Sequence, residues 1–213
     1  MFGLVNQSSN PIFTLEVPGK SGLIGLAPCP GIRLESAKRV NPQKLVKRDI
    51  AAFQEWGATG VVTLNETDEL YDLGLENLGD ELQAAGLWWR HLPIVDMNVP
   101  LPEFEETWRI EGQQISSSLA AGERVVIHCL AGLGRTGMIA ARLLVDMGVP
   151  PDTAIVDVRR VRPRAIQTTA QEDYVRQHGK KSRHDRWSRL QGRQGIAVAA
   201  SQGSKPPIKG FGT

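Results

Sequence analysis

The feature that most constrains the fold is a strand, a glycine-rich turn and a helix that follow one another directly. Val125 to Ile127 form a short β-branched apolar run, which is typical of a buried strand. Gly132 and Gly134 come next, and an apolar-periodic segment then predicts a helix from Gly137 to Met147. In such a unit the backbone N–H groups converge at a helix N-terminus, so the sequence predicts an anion-binding site there.

Cys129 and Arg135 give this predicted anion site its chemistry. A thiol at the mouth of a loop of converging amides is expected to be present as a thiolate, which is a strong nucleophile. Arg135, with five residues between it and the cysteine, offers a planar fork of donors for two phosphate oxygens. Thr136 can place a hydroxyl near the sulfur and assist its departure in a second step. These residues indicate phosphoryl transfer to a cysteine.

The sequence from His128 to Thr136, His-Cys-x5-Arg-Thr, resembles the signature loop of the cysteine-dependent protein phosphatases, the protein-tyrosine and dual-specificity enzymes. The resemblance implies catalytic roles for Cys129, Arg135 and Thr136, with His128 orienting the loop. It also implies that phosphate is bound by Leu130, Ala131, Gly132, Leu133, Gly134 and Arg135. An inert core cysteine is the structural alternative. A rhodanese-type sulfurtransferase typically has four residues between its Cys and Arg, so the count of five argues against that class.

Asp96 is the candidate proton donor and acceptor. Dephosphorylation by a cysteine requires a proton for the leaving oxygen and then a base to activate water. Asp96 follows a predicted aromatic-rich strand, Leu87 to Ile94. In the family resembled, a loop after such a strand supplies this carboxyl group in a motif like Pro-Ile-x-Asp, which matches residues 93–96. The alternative is a turn residue that caps nearby amides.

A third motif, Arg164 to Gln171, resembles the Gln loop of the same family. The match implies that Gln167 positions the water that attacks the cysteinyl-phosphate and that Gln171 supports it. An amide suits this role because it can donate one hydrogen bond and accept another. The alternative is a helix N-terminus with Thr168 or Thr169 as N-cap, and both descriptions can hold at once.

Strands alternate with helices along the chain, which predicts an α/β fold. We expect a three-layer sandwich with a central, mainly parallel sheet flanked by helices, and the resemblance implies that it is protein-tyrosine phosphatase-like. The predicted strands are Pro11–Val17 and Leu23–Leu26, as edge strands or an extended lead-in, with Gly60–Leu64 and Leu87–Ile94. The first predicted helix begins at Asn41–Pro42. Further predicted helices cover Leu78–Ala85, Pro102–Ala121, Gly137–Met147, Thr153–Val161 and a last segment ending near Gly179.

The residues between Glu66 and Gly79 are predicted to begin as a loop. Glu66, Asp68 and Glu69 are interpreted as a solvated acidic rim, with contact to a substrate cation or to the signature loop as the alternative. The basic cluster between Arg159 and Arg164 is interpreted as a solvated helix end or a rim that attracts acidic substrates.

Composition places the chain among globular proteins, with 41% apolar and 23% charged residues. No apolar run approaches the roughly 18 residues of a membrane span, and no secretory signal is evident, so we expect a cytoplasmic protein. Two cysteines give no disulfide framework. Cys29 is predicted to be structural, with a redox partnership with Cys129 as the alternative.

We expect a catalytic domain over residues 1–178 and a basic, disordered tail over residues 179–213. The tail holds eight Lys/Arg and one Asp, so its net charge is +7. Because the whole chain carries +2, residues 1–178 carry −5. Its basic residues are a weak indication of nucleic acid or an acidic membrane surface.

The sequence therefore predicts a protein phosphatase that hydrolyses phosphotyrosine, with phosphoserine and phosphothreonine as further candidates, through a cysteinyl-phosphate. The expected partner is a phosphorylated protein, the expected state is a monomer, and the chemistry needs no metal or cofactor. One alternative is a phosphoinositide or RNA 5′-phosphatase, although Leu130, Ala131 and Leu133 are uncharged where such enzymes usually carry basic residues. Another is a non-catalytic phosphoprotein-binding module, although Cys129 and Arg135 are both present.

Overall fold

The computed structural model describes residues 9–33 and 42–179, which build one five-stranded sheet with helices on both of its faces. The strands are β1 (Phe13–Glu16), β2 (Leu23–Pro28), β3 (Gly60–Thr63), β4 (Trp88–His91) and β5 (Arg124–Cys129). The helices are α1 (Pro42–Glu55), α2 (Thr67–Asp72), α3 (Leu78–Ala84), α4 (Pro102–Ala120), α5 (Gly134–Asp146), α6 (Pro151–Val161) and α7 (residues 169–179).

The sheet has the strand order β1-β2-β5-β3-β4, with β5 at its centre. Strands β2 and β3 both pair with β5 in parallel, β4 pairs with β3 in parallel, and only β1 is antiparallel to its neighbour. The prediction that β2 is an edge strand is therefore wrong. Pro28 suggested an edge, but it is the last residue of β2, where a missing N–H interrupts little of the ladder.

Two hydrophobic cores cover the two faces of the sheet. Val125, Ile127 and Cys129 of β5 pack into the core formed with α4, α5 and α6. Val126 points to the opposite core, which is formed with α1, α2 and α3. This alternation follows from the two-residue period of a strand and buries β5 on both sides. The predicted three-layer α/β sandwich with a mainly parallel sheet is confirmed.

Helix α2 lies where the sequence predicted a loop. A capping box joins Glu66 and Glu69 at its start, and the carboxylate of Glu69 accepts a 2.7 Å hydrogen bond from the backbone N–H of Glu66. Leu70 is buried and anchors the helix to the core. A helix of six residues is too short to show a clear apolar period, and Glu66 is not among the residues preferred at an N-cap, so the helix has little local sequence signal.

Helix α5 begins at Gly134, three residues earlier than the sequence predicted. The N–H of Gly137 donates to the carbonyl oxygen of Leu133 at 2.9 Å, which closes the first turn. Gly134 was interpreted as part of the turn because glycine usually ends regular structure. Arg135 and Thr136 therefore lie in the first turn of a helix, where backbone N–H groups lack intrahelical partners. As predicted, α5 is buried almost all round.

Among the helices of the described part, none is both long enough and apolar enough to cross a membrane. The predicted N-cap Asn41 and the basic tail, apart from Gly179, lie outside the described residues.

Candidate active site

The signature loop begins at the carboxyl end of β5 and is packed against the end of β2. Pro28 is the register partner of Cys129, and the N–H of Cys29 donates to the carbonyl oxygen of Leu130 at 3.1 Å. Gly132 has a φ of +66°, and a Cβ there would lie 2.5 Å from the carbonyl carbon and oxygen of Ala27. Because no side chain fits that space, the loop requires glycine at this position.

His128 supports the loop from inside the sheet. It is fully buried, and its Nε2 lies 2.8 Å from the Oγ1 of Thr63, which also accepts a 2.9 Å hydrogen bond from Trp89 Nε1. Burial in the core lowers the pKa of His128 to about 3, so the ring is neutral at physiological pH. The sequence identified His128 but gave no indication of Thr63 and Trp89, which come from two other strands.

Arg135 is fully buried, and the protein uses most of its five donors. Nη1 donates to Glu69 Oε2 at 2.5 Å and to the Ile94 carbonyl oxygen at 2.9 Å. Nη2 donates to Glu69 Oε1 at 2.9 Å and lies 3.0 Å from Asp96 Oδ1. Nε is buried and has no hydrogen-bond partner among the described residues. The guanidinium is thus fixed in orientation, and Asp96 lies at Nη2, next to Nε.

Glu69 is the carboxylate that fixes Arg135. Burial alone would raise the pKa of Glu69, but the hydrogen bonds from Arg135 and from the backbone of Glu66 outweigh it and lower the pKa. The interpretation of Glu69 as part of a solvated rim is wrong, and the alternative, a contact with the signature loop, is correct. Its position in a capping box was the only local signal, and nothing local indicated a partner 66 residues away.

Asp96 lies over the site on the acid loop, residues 92–101, which joins β4 to α4. Its side chain is 58% exposed, and its carboxylate contacts Arg135. The next residue, Met97, has a φ of +58°, and the N–H of Asn98 closes a turn onto the Val95 carbonyl oxygen at 3.1 Å. The Asn98 carbonyl oxygen accepts a 3.3 Å hydrogen bond from Gln171 Nε2. The acid loop is therefore held from two sides, by Arg135 and by Gln171.

The two glutamines of the third motif lie beside the start of α5. The fully buried Gln171 accepts a 2.9 Å hydrogen bond from the backbone N–H of Gln167 through Oε1. A Cβ on Gly134 would lie 2.7 Å from Gln167 Oε1 and 3.2 Å from Gln171 Nε2, so both amides lie directly over this glycine. Thr168 Oγ1 accepts a 3.2 Å hydrogen bond from the N–H of Gln171, which makes Thr168 the N-cap of α7.

Arg162 holds the signature loop from outside. Its Nη2 and Nε donate to the carbonyl oxygens of Ala131 at 3.0 Å and Gly132 at 3.2 Å, and its guanidinium lies 4.2 Å from the ring centroid of Phe13. The sequence placed Arg162 in a basic cluster at a helix end and did not predict this contact. Arg159, in the same cluster, donates to the carbonyl oxygens of Ala165 and Ile166.

The structure brings all the predicted site residues together around the N-terminus of α5. Besides Arg135 Nε, the buried Oγ1 of Thr136 also lacks a hydrogen-bond partner among the described residues. Five other buried polar atoms of the described residues also lack partners, but these two lie together in the first turn of α5, where they indicate a place for a polar ligand. Within residues 9–33 and 42–179, no group of three or more His, Cys, Asp or Glu is placed to hold a metal ion. The arrangement can bind a tetrahedral anion beside a cysteine and a carboxyl group.

Comparisons with known proteins agree with this chemistry. Residues 36–149 match a family model described as "Polymorphic toxin system, DSP-PTPase phosphatase". Cyclin-dependent kinase inhibitor 3 of Rattus norvegicus is 30% identical over 73% of this chain and 71% of its own length. Its counterpart in Mus musculus is 29% identical over 80% of each chain.

Solved structures share the fold. A crystal structure of kinase associated phosphatase, with its catalytic-site cysteine replaced by serine, superposes with a TM-score of 0.72. It is 26% identical and covers 83% of this chain and 98% of that one. A crystal structure of PTPMT1 superposes with a TM-score of 0.62 at 21% identity, covering 82% and 99% of the two chains.

Proposed function

Because this chain belongs to the DSP-PTPase family of cysteine-dependent phosphatases, and is therefore a phosphoric monoester hydrolase of the tyrosine/dual-specificity type, we propose that it hydrolyses phosphotyrosine in protein substrates. Phosphoserine and phosphothreonine are further candidate substrates. The observation that carries the proposal is the pair of buried polar atoms, Arg135 Nε and Thr136 Oγ1, that have no hydrogen-bond partner among the described residues. A phosphoryl group on Cys129 supplies an acceptor oxygen for Arg135 Nε, and the cysteine sulfur accepts from Thr136 Oγ1 when the thiolate departs.

In the first step, Cys129 attacks the phosphorus atom. The backbone N–H groups of residues 130–135 bind the equatorial oxygens, together with the Nε and Nη2 edge of Arg135. Asp96 now lies at Nη2, so an incoming phosphate displaces it. The displaced carboxyl group of Asp96 then lies beside the leaving oxygen of the substrate. As a protonated carboxyl, Asp96 donates its proton to that oxygen, and a cysteinyl-phosphate remains.

In the second step, water attacks the cysteinyl-phosphate. Gln167, over Gly134, orients the water, and Asp96 removes its proton. Gln171 keeps both groups in place because it binds the backbone of Gln167 and of the acid loop. The hydroxyl of Thr136 donates to the departing thiolate. The neutral His128, fixed by Thr63, orients the start of the loop without adding charge.

The experiment that tests the proposal measures phosphate release by the wild type and by Cys129→Ser. The panel contains phosphotyrosine, phosphothreonine and phosphoserine peptides of one sequence, a phosphoinositide and a 5′-triphosphate RNA. We expect turnover of the phosphotyrosine peptide, its loss in Cys129→Ser, and a phosphate adduct on Cys129 in acid-quenched wild type.

Two other outcomes would each refute a stated part of the proposal. Turnover of the lipid or the RNA alone would retain the cysteine chemistry and refute the protein substrate. Binding of phosphopeptides with no turnover by the wild type would make the protein a phosphoprotein-binding module and refute the enzyme mechanism.

A further inference from the structure

A cavity of about 330 Å³ opens beside the acid loop, outside the phosphate site. The buried side chains of Leu92 and Phe104 form its apolar floor. The exposed side chains of Val95 and Leu101 form its rim. Val95 directly precedes Asp96, so the cavity adjoins the loop that carries the candidate acid. Exposed apolar side chains grouped around a concave surface are typical of a site that binds another molecule.

Two carboxylates, Glu66 and Glu103, complete the lining of this cavity. Glu66 precedes α2, and Glu103 lies in the first turn of α4. Among the described residues, neither carboxylate forms an ion pair with a Lys or Arg. The cavity therefore combines an apolar interior with negative charge that has no cationic partner in this part of the chain. That combination matches a side chain with an aliphatic stem and a cationic head.

The charge at the cavity differs from the charge at the signature loop. The cavity lining holds two carboxylates and no Lys or Arg. Arg162 lies against the signature loop, and Arg164 is exposed in the neighbouring turn. A preference for a basic residue is therefore expected where the substrate lies over the cavity.

We propose that this cavity is a specificity subsite that binds a lysine or arginine side chain of the phosphoprotein substrate, close in sequence to the phosphorylated residue. The proposal rests on the proposed function, because it assumes that the phosphoryl group lies at Cys129. The stem packs on Leu92, Val95 and Phe104, and the cationic head pairs with Glu66 and Glu103. Each residue of an extended peptide spans about 3.3 Å, so the three residues on each side of the phosphorylated one cover about 10 Å and are the positions to test.

The test compares phosphopeptides in which lysine is moved through the three positions on each side of phosphotyrosine. Matched peptides carry norleucine, which has no charge, or 2,3-diaminopropionate, which has a charge on a short stem. Each kcat/KM is divided by that of p-nitrophenyl phosphate for the same enzyme. We expect one position at which lysine exceeds both replacements by about fivefold, as a partly exposed ion pair on an apolar surface gives.

The protein variants locate the effect. Glu103→Lys is expected to abolish the lysine preference, and the milder Glu103→Gln to reduce it. Glu106→Lys is the matched control, because Glu106 is exposed on the same helix and does not line the cavity. Thermal unfolding checks that all three variants are folded.

Each outcome has one meaning. A preference lost in Glu103→Lys and kept in Glu106→Lys supports the subsite. Equal loss in both variants would show long-range electrostatics and overturn it, as would peptides turned over without any lysine preference. No turnover of any phosphopeptide would instead refute the proposed function.

Discussion

Replacing Asp96 with asparagine should weaken catalysis and strengthen the binding of phosphate at the same time. Asp96 contacts Nη2 of Arg135 at 3.0 Å in the ligand-free site. That is one of the two guanidinium nitrogens that a bidentate phosphate needs. Asparagine retains the size of the side chain but removes the charge that competes for Arg135 and repels the phosphate. It also removes the proton that the leaving oxygen requires.

The size of the binding effect follows from the geometry of this ion pair. Two unit charges 3 Å apart attract each other by about 1.4 kcal/mol at a dielectric constant of about 80, and by about 5.5 kcal/mol at about 20. Since Asp96 is 58% exposed, the lower value applies, and ordering its side chain reduces it further, to about 1 kcal/mol. Asp96→Asn should therefore bind phosphate or vanadate about fivefold more tightly.

The assay combines inhibition by vanadate with turnover of a series of aryl phosphates. Loss of a general acid costs about 10²- to 10⁴-fold in kcat, and most where the leaving oxygen is most basic. We therefore expect a large loss of kcat with unsubstituted phenyl phosphate and a small one with p-nitrophenyl phosphate. The inhibition constant of vanadate should fall in the same variant.

Asp72→Asn is the matched control, since Asp72 is an exposed carboxylate at the end of α2. It should change neither the leaving-group dependence nor the inhibition by vanadate. A loss of kcat in Asp96→Asn that is equal for all leaving groups would refute the role of Asp96 as acid. Weaker vanadate inhibition in that variant would refute the competition for Arg135.

Three further predictions concern the groups around the loop. Glu69→Gln should lower the free energy of unfolding by about 2 kcal/mol at pH 7, because it removes the carboxylate that binds both Nη atoms of the buried Arg135 and leaves it with the exposed Asp96. Because the pKa of Glu69 is lowered in the folded state, its contribution to the unfolding free energy is complete above about pH 4.5 and is lost as the pH falls through the folded pKa. In urea denaturation, the unfolding free energy of the variant should therefore fall less than that of the wild type over this acidic range. The pKa of His128 is about 3 in the folded state, so below pH 6.5 the free energy of unfolding of the wild type should fall by up to about 1.4 kcal/mol per pH unit. An equal dependence of the unfolding free energy on pH in His128→Gln would contradict this. Gln171→Leu should lower kcat by about ten- to a hundredfold, because both the acid loop and Gln167 lose a hydrogen bond from Gln171. A rapid-quench measurement in which the cysteinyl-phosphate is hydrolysed at an unchanged rate would contradict this prediction.

The fold was largely predictable because its elements carry local signals. The apolar run of β5 and the proline and acidic residues at the start of α4 are readable within a short window. Strand β2 was misassigned because its place in the sheet depends on pairing with β5, which lies a hundred residues later in the chain. Helix α2 was missed because six residues show little periodicity.

In the candidate site too, the residues of a contiguous motif were predictable and the residues brought in by tertiary contacts were not. Cys129 and Arg135 stand in a contiguous motif, so their proximity was predictable. The contacts that fix them come from other elements: Glu69 from α2, Thr63 from β3 and Arg162 from the end of α6. Each is an ordinary polar residue in its own stretch of sequence. Only the tertiary fold distinguishes these three from solvent-exposed neighbours of the same type.

The buried Nε of Arg135 links the anion content of the solution to the folding equilibrium. It has no acceptor among the described residues, so we expect the loop to be less stable empty than occupied. Any tetrahedral anion that fits the site stabilises the folded chain, by about 2.7 kcal/mol at a hundred times its dissociation constant. We therefore expect reaction product, phosphate buffer and sulfate all to act as folding ligands. The thermal stability of this protein should then depend on the chain together with the anions around it.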